Sequence, residues 1–276
     1  ESSAASDVYK RQRRVSVRNT LRSILRVVEH HAFVYRRTWH GSVFSTFLNP
    51  VLYLAALGVG LGAFVDQSNP AGIEGVTYAM FLAPGILVAT AMNTATFEST
   101  YPVMAGIRWL KTYVGMILSP LNARHVATGQ LLWAGVRVTL GGVVFLAVMI
   151  VFGATGPAQA LLMLPVAILT GLAFAAPIQA FAAAQTNDAP FASLFRFVIM
   201  PMFIFGGTFF PISQLPDLLQ LVAVATPLWH AVSLSRGIAL GMLEPLVAVI
   251  NLTSLCALVA LGLRWSYRTV GRKLAE

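Results

Sequence analysis

Residues 42–64 contain no charged side chain. Read as a helix at ~1.5 Å per residue, that stretch is about 35 Å long, enough to cross a hydrocarbon layer of ~30 Å. Inside a bilayer the backbone must satisfy its own hydrogen bonds, so such a run folds as a helix with its ladder closed within the segment. The run does not stand alone. Tyr78–Thr100 is apolar until Glu98, Gly129–Phe152 is interrupted only by Arg137, and Ala160–Ala184 carries no charge. Phe191–Phe210 has Arg196 near its start, and Pro245–Leu263 is again free of charge. With 57% hydrophobic and 11% charged residues, the chain has less than half the ~25% charge of a soluble domain. The expected fold class is therefore an all-α integral membrane protein with six transmembrane helices. The first of these should kink at Asn49-Pro50.

Two regions depart from the spanning pattern. In residues 15–40, Val17, Leu21, Ile24, Leu25, Val28, Ala32 and Tyr35 recur at three- and four-residue steps, with Arg18, Arg22, Arg26, Glu29 and Arg36 between them. This predicts an amphipathic helix lying in the membrane interface, its basic side toward anionic head groups. In residues 211–244, the apolar pieces Leu218–Ala225 and Leu228–Leu240 are broken by Pro211, Pro216 and Pro227. Each piece is too short to cross, so they are expected as extracellular interfacial or re-entrant helices before the last span.

Charge placement predicts orientation. Of 19 Lys and Arg, nine lie in residues 1–41 and four in residues 264–273, while Arg108, Lys111 and Arg124 occupy the 101–128 loop. Loops 66–76 and 153–159 have no Lys or Arg. With six spans the basic and non-basic loops fall on opposite sides, which places both termini in the cytoplasm by the positive-inside rule. A seventh span would put the basic C-terminus outside. Charges that flank apolar spans also argue against nucleic acid as a partner. The expected organisation is a tail at 1–12, the cytoplasmic interfacial helix at 13–41, the membrane domain at 42–263 and a basic cytoplasmic tail at 264–276. The first twelve residues are set apart because Asp7–Gln12 reads back as GAT GTG TAT AAG AGA CAG. That string resembles the end of a sequencing-library transposon adapter, so an adapter-derived or disordered tail is expected there.

Signals of chemistry are sparse. There is no G-x-x-x-x-G-K-[ST] sequence, so ATP hydrolysis is not expected on this chain. Metal-binding and Gly-x-Ser-x-Gly patterns are absent, and Cys256 is the single cysteine. No cofactor is expected here. Ionisable residues inside a membrane are functional candidates. Glu98 and Arg196 lie near span ends, but Arg137 lies about 12 Å into its span by the helical rise and could pair with Glu98. Structural pairing is the favoured reading over a substrate contact. Trp109 and Tyr113 suit an interfacial aromatic belt, the Gly58–Gly62 cluster suits close helix packing, and His230 suits a hydrogen-bonded interfacial residue.

Several stretches then carry a family resemblance: Phe47-Leu48-Asn49-Pro50-Val51-Leu52-Tyr53 leading into Gly58–Gly62, Phe81-Leu82-Ala83-Pro84-Gly85, and Ala95-Thr96-Phe97-Glu98. The most specific are Pro201-Met202-Phe203, Phe210-Pro211-Ile212-Ser213-Gln214-Leu215-Pro216 and Thr226-Pro227-Leu228-Trp229-His230. In order and spacing they resemble the type-2 ABC exporter permeases, in particular the nodulation-factor (lipo-oligosaccharide) and daunorubicin-type branch. The resemblance implies a bacterial inner-membrane permease that exports an amphipathic or lipid-linked solute. Two copies, most simply a homodimer, would pair around the path, with ATP and Mg held by cytosolic ATPase partner subunits. It also implies that Arg108, Trp109 and Lys111 belong to a coupling helix that docks on the ATPase, and that Pro211, Leu215, Pro216, Pro227 and His230 belong to the extracellular helices. The competing readings are an ion-coupled secondary transporter, a lipid-modifying membrane enzyme and a non-transporting membrane partner. The first would need mid-membrane ion ligands or internal repeats, and the second a catalytic cluster.

Overall fold

The computed structural model describes residues 2–275, with side chains from Thr20 onward except residues 42–45. The proposed adapter-derived segment at 1–12 thus lies outside the residues whose side chains are described. Among the described residues the chain is helical, with no strand and a single isolated bridge, Ile73 to Val76.

Helix α1 (Ser2–Tyr53) continues as a π-helical stretch, Leu54–Leu61, and a short α2 (Gly62–Ser68), so the first span covers Thr46–Ser68. It is followed by α3 (Tyr78–Met104), α4 (Thr112–Ile117), α5 (Ala123–Val151) and α6 (Pro157–Ala184). Next come α7 (Ala189–Leu194) and α8 (Met200–Phe205), joined by a π-helical turn. The short α9 (Asp217–Val224) and α10 (Pro227–Leu240) meet at 82° before α11 (Pro245–Ala275) closes the bundle.

Helix α3 is the hub. It is buried around most of its circumference and packs against α5, α6, α10 and the end of the first span. That all-round burial is what an apolar helix without a polar stripe requires. Small residues bring its neighbours close. A Cβ on Gly262 of α11 would stand 2.5 Å from Pro177 Cδ of α6, and one on Gly171 would stand 2.6 Å from Val138 Cγ2 of α5. In a bilayer such close approach replaces the hydrophobic drive that water would supply.

Two core clusters mark the two ends of the bundle. One joins Met104, Tyr113, Val126, Phe191, Val270 and Leu274. The part of α1 around His31, the 105–117 segment, the 185–190 turn and the C-terminus of α11 therefore share one end. The opposite end collects Leu54, Tyr78, Ala154 and Ala160. Ala189–Phe205 is only 17 residues, about 26 Å of helix, yet it reaches from one end to the other. Phe191 lies in the first cluster, and beyond the helix Phe209 O accepts a hydrogen bond from Tyr78 Oη at 3.1 Å. Six crossings result, with α9 and α10 folded back at the far end.

Several boundaries differ from the sequence expectation. The interfacial helix and first span are not separate elements, because α1 stays helical across the junction and past Pro50, where only the proline's missing N–H interrupts the ladder. The irregularity expected at Pro50 occurs just after it, as the π-helical stretch around Gly58. Stepwise contacts Val27 to Gly129, His31 to Trp133 and Tyr35 to Arg137 show α1 running alongside and parallel to α5. The segment expected as a basic tail from residue 264 is the end of α11, held by buried Val270 and Leu274. Apolar residues at four-residue spacing extend the helix beyond its charge-free part.

Candidate coupling end and transport cleft

The 105–118 segment protrudes at the end that carries both termini. A π-helical turn, Ala105–Trp109, tightens the chain onto the Tyr113 ring, and a Cβ on Gly106 would stand 2.7 Å from that ring. Lys111 adopts φ +53°, an unusual left-handed conformation for a non-glycine residue, and opens the short helix α4. The result pushes Trp109 (53% exposed) and Leu110 (73% exposed) outward beside the exposed Lys111. Arg108 takes another role: its Nε donates to Gln185 O at 3.3 Å, tying the segment to the α6–α7 turn. Tyr113 is 1% exposed and belongs to the core, so the aromatic-belt reading fails for it.

Tyr113 begins a polar chain into the bundle. Its hydroxyl donates to Gln130 Oε1 at 2.7 Å, and Gln130 Nε2 donates to Glu98 O at 2.7 Å. Glu98 Oε1 accepts from Arg137 Nε at 2.8 Å, and the Arg137 guanidinium lies 4.2 Å over the Tyr35 ring. The expected Glu98 and Arg137 side chains are thus in contact, 13% and 15% exposed for Arg137 and Glu98 respectively. Burial, with the nearby Glu98 charge adding, keeps the Tyr113 hydroxyl protonated well above the usual tyrosine range. His31 closes the ring of contacts, stacked on Trp133 (centroids 5.9 Å apart) and edge-on to Tyr113. Its Nε2 is buried without a hydrogen-bond partner. Burial first, then the adjacent His30, lowers its pKa to about 4. One network therefore joins α1, the protruding segment, α3 and α5.

A second feature is a cleft of about 550 Å³ between the first span, α3 and the α7–α8 helix. Asn49, Tyr53, Thr90, Asn93, Thr94 and Arg196 line it, alongside Phe195 and Phe203. Polar side chains facing hydrocarbon are costly, so this strip marks a face turned away from lipid. At the far end, Pro211 precedes a short 3₁₀ turn, Leu215 O accepts from Gln220 Nε2, and Pro216 precedes α9. Pro227 is the first residue of α10, whose N-terminus is capped by Thr226 Oγ1. His230 Nδ1 lies 2.7 Å from Asn251 Oδ1, as a hydrogen-bonded histidine should, and no metal-binding cluster occurs among the described residues.

Sequence reasoning missed Tyr113 as a network member, the partners Gln130 and His31, the Asn93/Thr94 strip and Arg236 on α10. Polar residues inside apolar runs were the available signal, but nothing in one sequence says which face they share.

The structure is thus a polytopic helical bundle with a polar cleft among helices long and apolar enough to cross a membrane. The chain belongs to the ABC-2 type transporter family, whose pattern matches residues 23–240, and it is a permease subunit of an ABC exporter. It is similar to Nodulation protein J of Rhizobium leguminosarum bv. viciae, 30% identical over 251 residues (91% of this chain, 94% of the relative). Nodulation protein J of Rhizobium meliloti (strain 1021) is 32% identical over 234 residues, covering 84% of this chain and 87% of the relative. That of Rhizobium leguminosarum bv. trifolii is 33% identical over 226 residues, covering 82% and 84%.

Proposed function

We propose that this permease moves an amphipathic, lipid-linked solute of lipo-oligosaccharide type out of a bacterial cytoplasm, driven by a cytosolic ATPase that docks on Trp109, Leu110 and Lys111. The observation that carries the reading is the protruding turn. Two large apolar side chains are held in the open beside a cation, on a segment fastened to the core by Tyr113 and Arg108. A rigidly mounted apolar anchor is what a partner pocket needs. ATP and Mg sit on that partner. The basic end, with Arg108, Lys111, Arg264, Arg268 and Arg272, faces the cytoplasm, since the far end carries Asp66, Glu74, Asp217 and Glu244 against the single base Arg236.

A homodimer is the assembly this reading takes, with the polar strip of Asn49, Asn93 and Thr94 turned from lipid toward the second copy and the solute path. The Tyr113–Gln130–Glu98–Arg137 chain passes ATPase closure from the docking turn to α3 and α5, whose rigid-body shift opens the path. The solute class is supported by the resemblance to nodulation-factor exporters and by similarity to Nodulation protein J. The test is copurification of a cytosolic P-loop ATPase coexpressed with this permease. Trp109→Ala with Leu110→Ala, or Lys111→Glu, should lower ATPase recovery while the permease stays monodisperse. Unchanged recovery in all three substitutions would place docking elsewhere.

A further inference from the structure

At the far end, α10 carries Arg236 inward against α3. Its Nε donates to Phe81 O at 3.2 Å, its Nη2 donates to Gly207 O at 2.8 Å, and its guanidinium lies 3.6 Å over the Phe81 ring. Gly85 makes room for this approach, since a Cβ there would stand 3.0 Å from Thr208 O and 3.4 Å from Arg236 Nη2. Among the described residues no carboxylate pairs with Arg236 within 4.0 Å. The guanidinium has five N–H donors, and these two hydrogen bonds leave the others to face a cavity of about 280 Å³.

The walls of that cavity define a chemistry. Arg236 offers only donors, and Glu74, an exposed residue that also lines the cavity, only acceptors. Trp229 supplies a flat apolar wall beside Gly207, a position with φ +80° that favours glycine. Ser233 adds a hydroxyl, itself held by Asn251 Nδ2 at 3.0 Å. A phosphate or sulfate would meet the Glu74 carboxylate, and an acyl chain would bring no polar group to Arg236. Vicinal hydroxyls on a ring with an apolar face satisfy every wall. The volume equals about nine waters at ~30 Å³ each, the scale of one sugar ring and too small for an oligosaccharide.

We propose that this cavity is an exit-side subsite that holds one neutral sugar ring of the exported solute, with Trp229 stacked on the ring and Arg236 and Glu74 bonded to adjacent hydroxyls. The inference rests on the lipo-oligosaccharide reading above. It gives the folded-back helix α10 a ligand on the side where solute leaves, and the Asn251 contacts to His230 and Ser233 make α11 part of the same structure.

Saturation-transfer NMR on the purified full-length permease tests it, with cellotetraose, chitotetraose and maltotetraose as separate probes and inorganic phosphate titrated by calorimetry. At least one tetrasaccharide should receive saturation. Trp229→Leu and Glu74→Gln should each weaken its binding tenfold or more. Both substitutions leave the Arg236 contacts to Phe81 and Gly207 in place, and thermal melting checks that each variant is folded. No transfer to any tetrasaccharide, binding untouched by both substitutions, or binding of phosphate alone would overturn the subsite. ATP-dependent export by the same preparation reconstituted with its ATPase is scored separately. Export without saccharide binding removes only the subsite, whereas saccharide binding without ATP-dependent export removes the exporter reading.

Discussion

Arg137→Met tests whether the intramembrane ion pair is held for mutual neutralisation. In the wild type its Nε lies 2.8 Å from Glu98 Oε1, with the side chains 13% and 15% exposed. Removing one partner of a pair this buried leaves a lone charge and typically costs ~3–5 kcal/mol. Loss of the guanidinium over the Tyr35 ring adds about 0.5–1 kcal/mol. Residual exposure favours the lower bound, so we expect Arg137→Met to destabilise by about 3 kcal/mol. Glu98→Gln keeps the shape but strands the arginine, and should cost about 2 kcal/mol. The double substitution leaves no stranded charge and should recover about 2 kcal/mol of the summed loss, because a buried pair replaced by neutral groups is often close to neutral. The assay is unfolding of the purified permease by SDS titration in bicelles for the wild type, both singles and the double. Additivity within ~0.5 kcal/mol would refute the coupling, and with it the claim that the pair fixes α3 to α5.

Three further outcomes follow from the same contacts. The folded-state pKa of His31 is lowered from 6.5 to about 4, so between those values the unfolded chain binds more protons. Stability should be complete above pH ~6.5 and fall by up to about 3 kcal/mol as the pH approaches 4, and His31→Gln should flatten that slope in pH-dependent melting. On α5, a Cβ at Gly129 would stand 2.5 Å from Val27 Cβ, whereas Gly141 has open space around its Cβ position. Gly129→Ala should cost about 1–3 kcal/mol and Gly141→Ala should be neutral or stabilising by up to ~1 kcal/mol; equal melting temperatures would contradict the α1–α5 contact. Thr226→Ala removes the N-cap of α10 and should cost about 1 kcal/mol, read by thermal melting and by faster proteolysis of the 211–244 region.

Much of the fold was legible because a bilayer restricts what apolar runs can do. Runs such as 78–100 and 160–184 leave no alternative to spanning helices, and Pro211, Pro216 and Pro227 divide the far-end segment much as the structure does. Element ends were less legible, since helix propensity does not stop where charge begins: α11 runs past Arg264 to Ala275 because Val270 and Leu274 find a core. The site was legible only in pairs. Glu98 and Arg137 stand out as charges in apolar runs, but Tyr113 looked like an interfacial aromatic, and only tertiary packing brings it to Gln130. Arg236 lay in a piece read as apolar and short, where its two carbonyl partners come from residues far away in sequence.

The most direct test of the whole account is ATP-dependent solute uptake into inside-out vesicles that contain the permease and the P-loop ATPase that copurifies with it. A panel of lipo-oligosaccharides and amphipathic drugs serves as solute, with ion gradients collapsed. The account requires uptake that needs ATP, needs an ATPase with its P-loop lysine intact, and vanishes when the permease is reconstituted alone. Uptake by the permease alone, driven by a proton or sodium gradient, would contradict it.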